Sequence, residues 1–556
     1  MAKRKQMWER LGEDVDVLIV GGGITGAGIA RDAARRGYTT ALVEMNDLAY
    51  GTSSRSSKLV HGGLRYLEHY EFGMVFESVS ERRILMDLAP HLVNPLAFLF
   101  PVYKGARQKR WLINAGMWLY DGLSLFRSPK IHKNLGPGDV AEREPTLKQE
   151  GLTGAPLYYD CSTDDARLTL ETAIDAAHQG AVIATGAKVE RFLLDERGRV
   201  CGAEVSDHLE GGENKSIRAG VVINATGPWT DAVRALSPVP GQAPRDVLRP
   251  TKGVHIVVDA AKLPVKHAVV CFHPEDERVL FALPWGDRAY VGTTDTDYTG
   301  APGDVAATAE DVEYLIDAAN YHFPQHQLKK SDVIATWAGL RPLVAPAGDG
   351  VDESAVSREH EILVGRNGLL TIAGGKLTTY RRMSAEVVDR AEQLLRLSGR
   401  RKKSKPARTE HDPLPGGQGW PDDDDHEKVA ASVEKAAGGH LDARCARHLA
   451  DTYGMRAIPL AETIAADASL ATPLVEGRVE VRAQVEWAVN EEFAATVSDI
   501  MIRRTQLFYR DEDQGLGAAE AVGQQLAELL GWDEDTTIAM VQAYRADVAR
   551  SRQWQN

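Results

Sequence analysis

The first strong pattern along the chain is the short apolar run in 16–20, Asp16-Val17-Leu18-Ile19-Val20, apolar from Val17 on, that stops at glycines. A short continuous run bounded by turn residues predicts a buried strand. Residues 24–36 follow, rich in small residues and with no helix breaker apart from Gly26 and Gly28, which predicts a helix. Residues 39–44 predict a second buried strand ending at Glu44. One strand–helix–strand unit of this kind implies a parallel, doubly wound sheet. Further strands are predicted at 182–185, 202–206, 221–225, 255–258, 278–283, 288–292 and 369–373. The middle of the chain alternates more like an antiparallel sheet than a β-α-β array. Beyond residue 428 the chain is rich in Ala, Glu and Arg with few β-branched runs, which predicts an all-helical region.

Composition narrows the class. At about 150 residues per domain, 556 residues allow three to four domains. Apolar content of 43% and charged content of 26% match folded globular chains and exclude wholesale disorder, a collagen-like fibre and a polytopic membrane protein. A net charge of −14 argues against non-specific nucleic-acid binding, which needs a cationic surface to release counterions. Cys161, Cys201, Cys271 and Cys445 are scattered and form no CxxC pair. That spacing argues against a zinc site or disulfide scaffold, so no metal is expected, and it fits a reducing compartment. The basic N-terminus is followed by no apolar signal core, which reads as a cytoplasmic protein without a cleaved leader.

Two segments stand apart. Residues 399–427 pass from Arg400, Arg401, Lys402 and Lys403 through Pro and Gly to Asp422, Asp423, Asp424 and Asp425, a linker signature. Residues 111–126, WLINAGMWLYDGLSLF, are aromatic-rich and flanked by Lys104, Arg107, Lys109, Arg110, Arg127 and Lys130. They are too interrupted, by Asn114, Gly116, Asp121 and Gly122, to span a bilayer. Two readings stay open: an interfacial helix on anionic lipid, or a buried helix with a solvated basic end.

The chemistry-bearing motifs begin with Gly21, Gly23 and Gly26, which occupy the fixed places of GxGxxG between the first strand and the helix. Gly21 permits the tight turn, Gly23 lets backbone approach a pyrophosphate, and Gly26 permits close helix–strand packing. The helix N-terminus offers free N–H groups and a positive dipole end to that anion. Glu44, about 20 residues on, is placed to bond ribose hydroxyls and disfavours a 2′-phosphate, hence NADP. The loop after it, GTSSRSSKLVHGGLRYL, supplies hydroxyl and N–H donors through Thr52, Ser53, Ser54, Ser57, His61 and Gly62, although serine-rich loops often only cap helices. Gly227 in NATGPW, and Gly375, Lys376, Leu377 and Thr378 in AGGKLTTY, form strand-to-turn elements suited to a flavin. Only one GxGxxG is present, so FAD is expected and a second site for NAD is not.

Together these motifs closely resemble the FAD-dependent, quinone-linked glycerol-3-phosphate dehydrogenases of the D-amino-acid-oxidase-like flavoprotein superfamily. The matching stretches are GGGITGAG, SSKLVHGGLRYLEHYEF, NATGPW, PTKGVHIV, PWGDRAYVGTTDTDY, GLRPL and AGGKLTTYRRM, spanning about residues 15–385. The helical region with DIMIRRT also looks like the family's C-terminal domain. The implied fold is α/β: a Rossmann-like FAD-binding domain from 12–90, 160–235 and 345–398, an antiparallel-sheet cap domain from 91–159 and 236–344, a linker at 399–427, and an all-α domain at 428–556. The implied reaction oxidises sn-glycerol 3-phosphate at C2 to dihydroxyacetone phosphate by hydride transfer to FAD N5. Electrons then pass to a membrane quinone, from a position peripheral to the cytoplasmic face and in contact with anionic lipid. The resemblance allows a homodimer. Two alternatives remain: a glycerophosphate oxidase using O2, which usually carries a central insertion absent here, and a non-catalytic flavin-binding scaffold.

The implied site holds a phosphate dianion, removes the C2 hydroxyl proton and tolerates charge on the flavin. Arg65, with Tyr66, is the first phosphate ligand, since a guanidinium offers parallel donors, and Arg358 is a weaker one. Arg341 in GLRPL is assigned to the substrate, holding phosphate or polarising the C2 oxygen. His255 in KGVHIV is the best general base, with a hydrogen-bonded core histidine as the alternative. Lys376 would stabilise developing alkoxide and anionic flavin, or else hold a helix start. His61 reads as a flavin-edge contact rather than a base.

Overall fold

The computed structural model describes residues 3–12, 14–63, 71–106, 110–124, 130–212, 214–237, 246–345, 360–400 and 404–555. Among these, strand Val15–Val20 lies inside a sheet ordered His360–Val364, Leu370–Gly374, Lys215–Asn224, Val15–Val20, Thr40–Val43, Val182–Ala184. Every neighbouring pair is parallel except the one at the His360–Val364 edge. Ala187–Leu194 and Val200–Asp207 extend Lys215–Asn224 as an antiparallel ribbon. Val17, Leu18 and Ile19 are fully buried. Each such side chain contributes about 1.5–3 kcal/mol by leaving water. Helix Ile24–Arg35 packs on these strands and against helices Asp165–His178 and Tyr380–Leu397. Its approach to the last of these needs Gly28, where a Cβ would lie 2.3 Å from Ser384 Oγ.

The second sheet is built around Leu248–Asp259. That strand runs antiparallel to Val333–Val344, with His255 opposite Trp337 and Thr251 opposite Arg341, and to Arg288–Gly292, with His255 opposite Gly292. The sheet continues through Val279–Trp285, Ala268–Phe272, Asn94–Leu99 and Leu152–Ser162. Strands Asn94–Leu99, Leu152–Ser162 and Val333–Val344 escape the sequence pattern because Pro95, Gly154, Pro156, Gly339 and Pro342 interrupt them. Such residues normally mark edges or bulges. For the same reason 255–258 is only the inner part of a twelve-residue strand that also holds Pro250 and Gly253.

The C-terminal region is helical from His426–Ala436 onward, as expected. The segment expected as a linker, 399–427, is packed down in its second half. Leu414 is fully buried with its N–H on Leu88 O at 2.9 Å, and Gly416 N–H donates to Glu171 Oε2 at 2.9 Å. The C-terminal helices share core with the second sheet: Tyr509 meets Trp337 edge-on at 5.5 Å, and Trp554 joins the cluster beneath Val254 and Ile256. The 111–126 segment contains helix Arg110–Leu123.

Candidate active site

The parallel sheet builds one side of the site from backbone. Gly21 has φ +109°, and a Cβ there would lie 2.6 Å from Ala225 O. A Cβ on Gly26 would lie 1.9 Å from Gly21 O, so this glycine is demanded by packing of the helix on its own strand turn. Gly23 keeps the space before the helix N-terminus open, where Ser53 Oγ accepts from Ile24 N–H at 3.0 Å. Glu44 accepts from Gly22 N–H at 2.6 Å and Asn46 N–H at 2.9 Å. Burial pushes the Glu44 pKa up, opposed by those two N–H groups.

A cleft of about 430 Å³ opens along this edge. That volume lies in the range of small-molecule and cofactor sites. Glu44, Gly21, Gly23, Thr52 and Ser53 line it together with Gly227, Gly375, Lys376 and Leu377. The predicted cofactor residues from four separate stretches of sequence therefore meet in one cavity. Gly227, Gly374 and Gly375 have φ of +53°, +75° and +94°, so both later turns need glycine. The glycine turns, the open helix N-terminus and the seated carboxylate fit a dinucleotide.

The antiparallel sheet supplies side chains instead. Pro342 lines the cleft, and its neighbour Arg341 spreads its guanidinium onto Asp295 Oδ1 at 2.9 Å, Thr293 Oγ1 at 3.1 Å and Thr294 O at 3.1 Å. Gly253 makes room for it, since a Cβ there would lie 2.6 Å from Arg341 Nη2. Gly292 does the same for His255, at 2.2 Å from its ring. His255 is buried, stacks on Trp337 at 4.7 Å and shares a 2.9 Å hydrogen bond between Nε2 and Ser57 Oγ. Burial first, then the charges of Arg341 and Lys58, push its pKa well below 6.5, so the ring is neutral at pH 7. Lys58, with φ +53°, is buried beside it and bonds Asp165 Oδ1 at 2.7 Å. The rings of Trp285, Trp337 and Tyr509 surround its ammonium at 5.9, 5.5 and 5.7 Å.

Thr52 ties the two sides together by donating to Leu340 O at 2.6 Å, one residue before Arg341. Lys376 lines the cleft with Nζ 3.5 Å from Met74 Sδ. Thr378 Oγ1 accepts from His61 N–H at 3.2 Å, and Gly62 N–H donates to Asp160 Oδ1 at 2.9 Å; His61, Gly62 and Thr378 are not among the residues that line the cavity. The Ser54 hydroxyl is buried without a partner among the described residues, and Ser57 is spent on His255. Arg65, Tyr66 and Arg358, the remaining expected substrate ligands, lie outside the described residues. Sequence reasoning missed the part of the cleft formed by Lys188, Val189 and Glu190, and the wall of Tyr50 and Trp229, whose rings stand 6.3 Å apart. Only Trp229 left a signal, at the end of NATGPW. Gly253 and Gly292, each inside a strand, were the legible sign of Arg341 and His255 pressing on backbone.

Comparison with known proteins agrees with this geometry. The family described as FAD dependent oxidoreductase matches residues 16–381, and the C-terminal domain of alpha-glycerophosphate oxidase matches 407–537. An aerobic glycerol-3-phosphate dehydrogenase of Staphylococcus haemolyticus is 41% identical over 524 residues, 94% of this chain and 92% of the relative. That of Staphylococcus aureus is 39% identical over 552 residues, 99% and 96%. The crystal structure of the glycerol-3-phosphate dehydrogenase from Bacillus halodurans complexed with FAD superposes with TM-score 0.80 at 33% identity, over 99% of this chain and 98% of that one. The L-alpha-glycerophosphate oxidase of Mycoplasma pneumoniae shares the fold, with TM-score 0.52 at 17% identity over 72% of this chain and 99% of that one.

Proposed function

The chain belongs to the FAD dependent oxidoreductase family, and from that premise we propose that it oxidises sn-glycerol 3-phosphate to dihydroxyacetone phosphate and hands the electrons to a membrane quinone. The observation that carries this reading is the cleft itself. It runs from Glu44, past the N-terminus of Ile24–Arg35, to Lys376 and to Pro342 beside Arg341. The pocket thus reaches Lys376 and Pro342, the chain neighbour of Arg341, and cations so placed are what a small phosphorylated alcohol requires. FAD, when bound, supplies the acceptor for the C2 hydride. Gly21, Gly23, Glu44, Thr52, Ser53, Gly227, Gly375 and Leu377 hold it in this reading.

Arg341 arrives pre-oriented. Asp295, Thr293 and Thr294 fix its plane before substrate binds, which limits the ordering cost of a charge-assisted contact. Lys376 places a second cation at the cleft, suited to an alkoxide as the C2 hydroxyl proton leaves. His255 is kept neutral and so is able to accept a proton at Nε2, passed from Ser57 Oγ. Arg65, Tyr66 and Arg358 complete the phosphate site in this reading.

Among the described residues no helix is long and apolar enough to cross a membrane. Helix Arg110–Leu123 nonetheless exposes 67% of Trp111 and 58% of Trp118, beside exposed Leu112 and Leu119, with Phe72 and Phe76 exposed on helix Phe72–Leu88. Exposed aromatics of this kind on an amphipathic helix support peripheral seating on anionic lipid rather than the buried-helix alternative. Turnover with glycerol 3-phosphate in air, with a soluble quinone analogue present, tests the acceptor. The expected result is quinone reduction without matching peroxide; rapid peroxide formation replaces this reading with the oxidase.

A further inference from the structure

The C-terminal domain meets the cofactor side of the molecule at several places, among them Arg167 with Glu492 and the segment Asp499–Arg504 with Asp47. Asp499–Arg504 is a π-helix turn, wider than an α-turn. Consecutive side chains on an α-helix diverge by about 100°. Here the neighbours Arg503 and Arg504 close on one carboxylate. Arg504 Nη1 and Nη2 meet Asp47 Oδ2 and Oδ1 at 2.7 and 2.8 Å, and Arg503 Nε meets Oδ2 at 2.5 Å. Arg503 also bonds Asp499 Oδ1 at 2.6 Å, and Arg504 donates to Glu492 O at 2.8 Å. Asp47, Asp499, Arg503 and Arg504 are all buried. Burial alone would raise the Asp47 pKa, but Arg504 and Arg503 hold it below the usual range.

A buried cluster of four charges is a poor way to gain stability, because desolvation cancels much of the attraction. Its location gives it another use. Asp47 follows Asn46, whose N–H orients Glu44 Oε1, and its own carbonyl accepts Tyr50 N–H at 3.1 Å. Glu44, Met45, Asn46 and Tyr50 line the cleft, and the Arg503 guanidinium lies 5.7 Å over the Tyr50 ring. We propose that the C-terminal domain braces the FAD site from outside: Arg503 and Arg504 pin Asp47, and Asp47 fixes the 44–50 segment that presents Glu44 to the cofactor. Asp47, Arg503 and Arg504 are positioning residues that need not touch FAD.

The test uses full-length protein stripped of flavin, titrated with FAD and followed by quenching of FAD fluorescence, with melting of the apo and FAD-saturated forms measured alongside. Asp47→Asn is expected to raise the FAD Kd about 10- to 100-fold, the scale for losing a group that orients a ligand-binding side chain. Arg504→Lys keeps the charge but loses the bidentate fork, and is expected to raise Kd less. In both, the Tm gain on adding FAD shrinks by linkage. Equal Tm losses in apo and FAD-bound forms with unchanged Kd would overturn the brace and leave a purely structural cluster. If Asp47→Asn does not fold, Arg504→Lys decides alone by the same two readings. A wild-type protein that takes up no FAD would overturn the cofactor assignment instead.

Discussion

The two sheets flanking the cleft shape their sides of it by different means. The parallel sheet works through backbone: glycines at 21, 23, 26, 227 and 375, a helix N-terminus and a carboxylate seated on two N–H groups. The antiparallel sheet works through side chains, Arg341 and His255, each set into a niche opened by a glycine on a neighbouring strand. Backbone sites demand a residue type at a fixed spacing, so they leave a motif. Side-chain sites demand partners far away in sequence, such as Asp295 for Arg341 and Ser57 for His255, and leave almost none.

That contrast is open to direct attack. The largest effect is expected at the side-chain end. Arg341→Ala should lower kcat/KM by about 10²–10³, the range for losing one charge-stabilising donor, with FAD content unchanged. A loss of flavin with normal activity per flavin would place Arg341 on the wrong side of the comparison. Gly26→Ala should do the reverse. Its Cβ falls 1.9 Å from Gly21 O, and relieving such overpacking costs about 1–3 kcal/mol. Purified protein should therefore carry less flavin by absorbance while Arg341 is untouched.

The third effect separates the sheets by pH. His255 has a folded pKa well below 6.5, and burial lowers His91 and His322 to about 4. The unfolded chain takes up these protons as pH falls through 6.5, while the folded chain keeps the three rings neutral further down, His91 and His322 to about 4. Stability is therefore full above 6.5 and is lost on acidification, with a slope of about 1.4 kcal/mol per pH unit per histidine. Urea midpoints between pH 7 and pH 5 should show this slope, and His255→Gln should flatten it. The smallest effect lies away from both sheets. Trp111→Ser and Trp118→Ser should each weaken flotation on anionic vesicles by about 1–2 kcal/mol of lost apolar burial, leaving turnover in detergent intact.

Legibility followed the same division. The strand–helix–strand unit, GxGxxG and Glu44 were readable because parallel strands give continuous apolar runs and cofactor turns give glycines. The helical C-terminus was readable from composition. The strands carrying Arg341 and flanking the cap were not, because Pro342, Gly339, Pro156 and Gly154 disguise them. Lys58 was invisible as a buried cation, since only the fold brings Asp165, Trp285, Trp337 and Tyr509 around it. Nor could any pattern show that Arg503 and Arg504 reach Asp47, more than 450 positions away, as their separations of 456 and 457 show.

In the proposed function a backbone-held flavin and a side-chain-held phosphoester share one cleft. Anaerobic addition of glycerol 3-phosphate to the yellow protein tests it in a single cuvette. Rapid bleaching of the flavin band is expected in wild type, and slow bleaching at equal flavin content in Arg341→Ala. A flavin band that persists in the wild-type protein, or that bleaches equally fast in both, would contradict it.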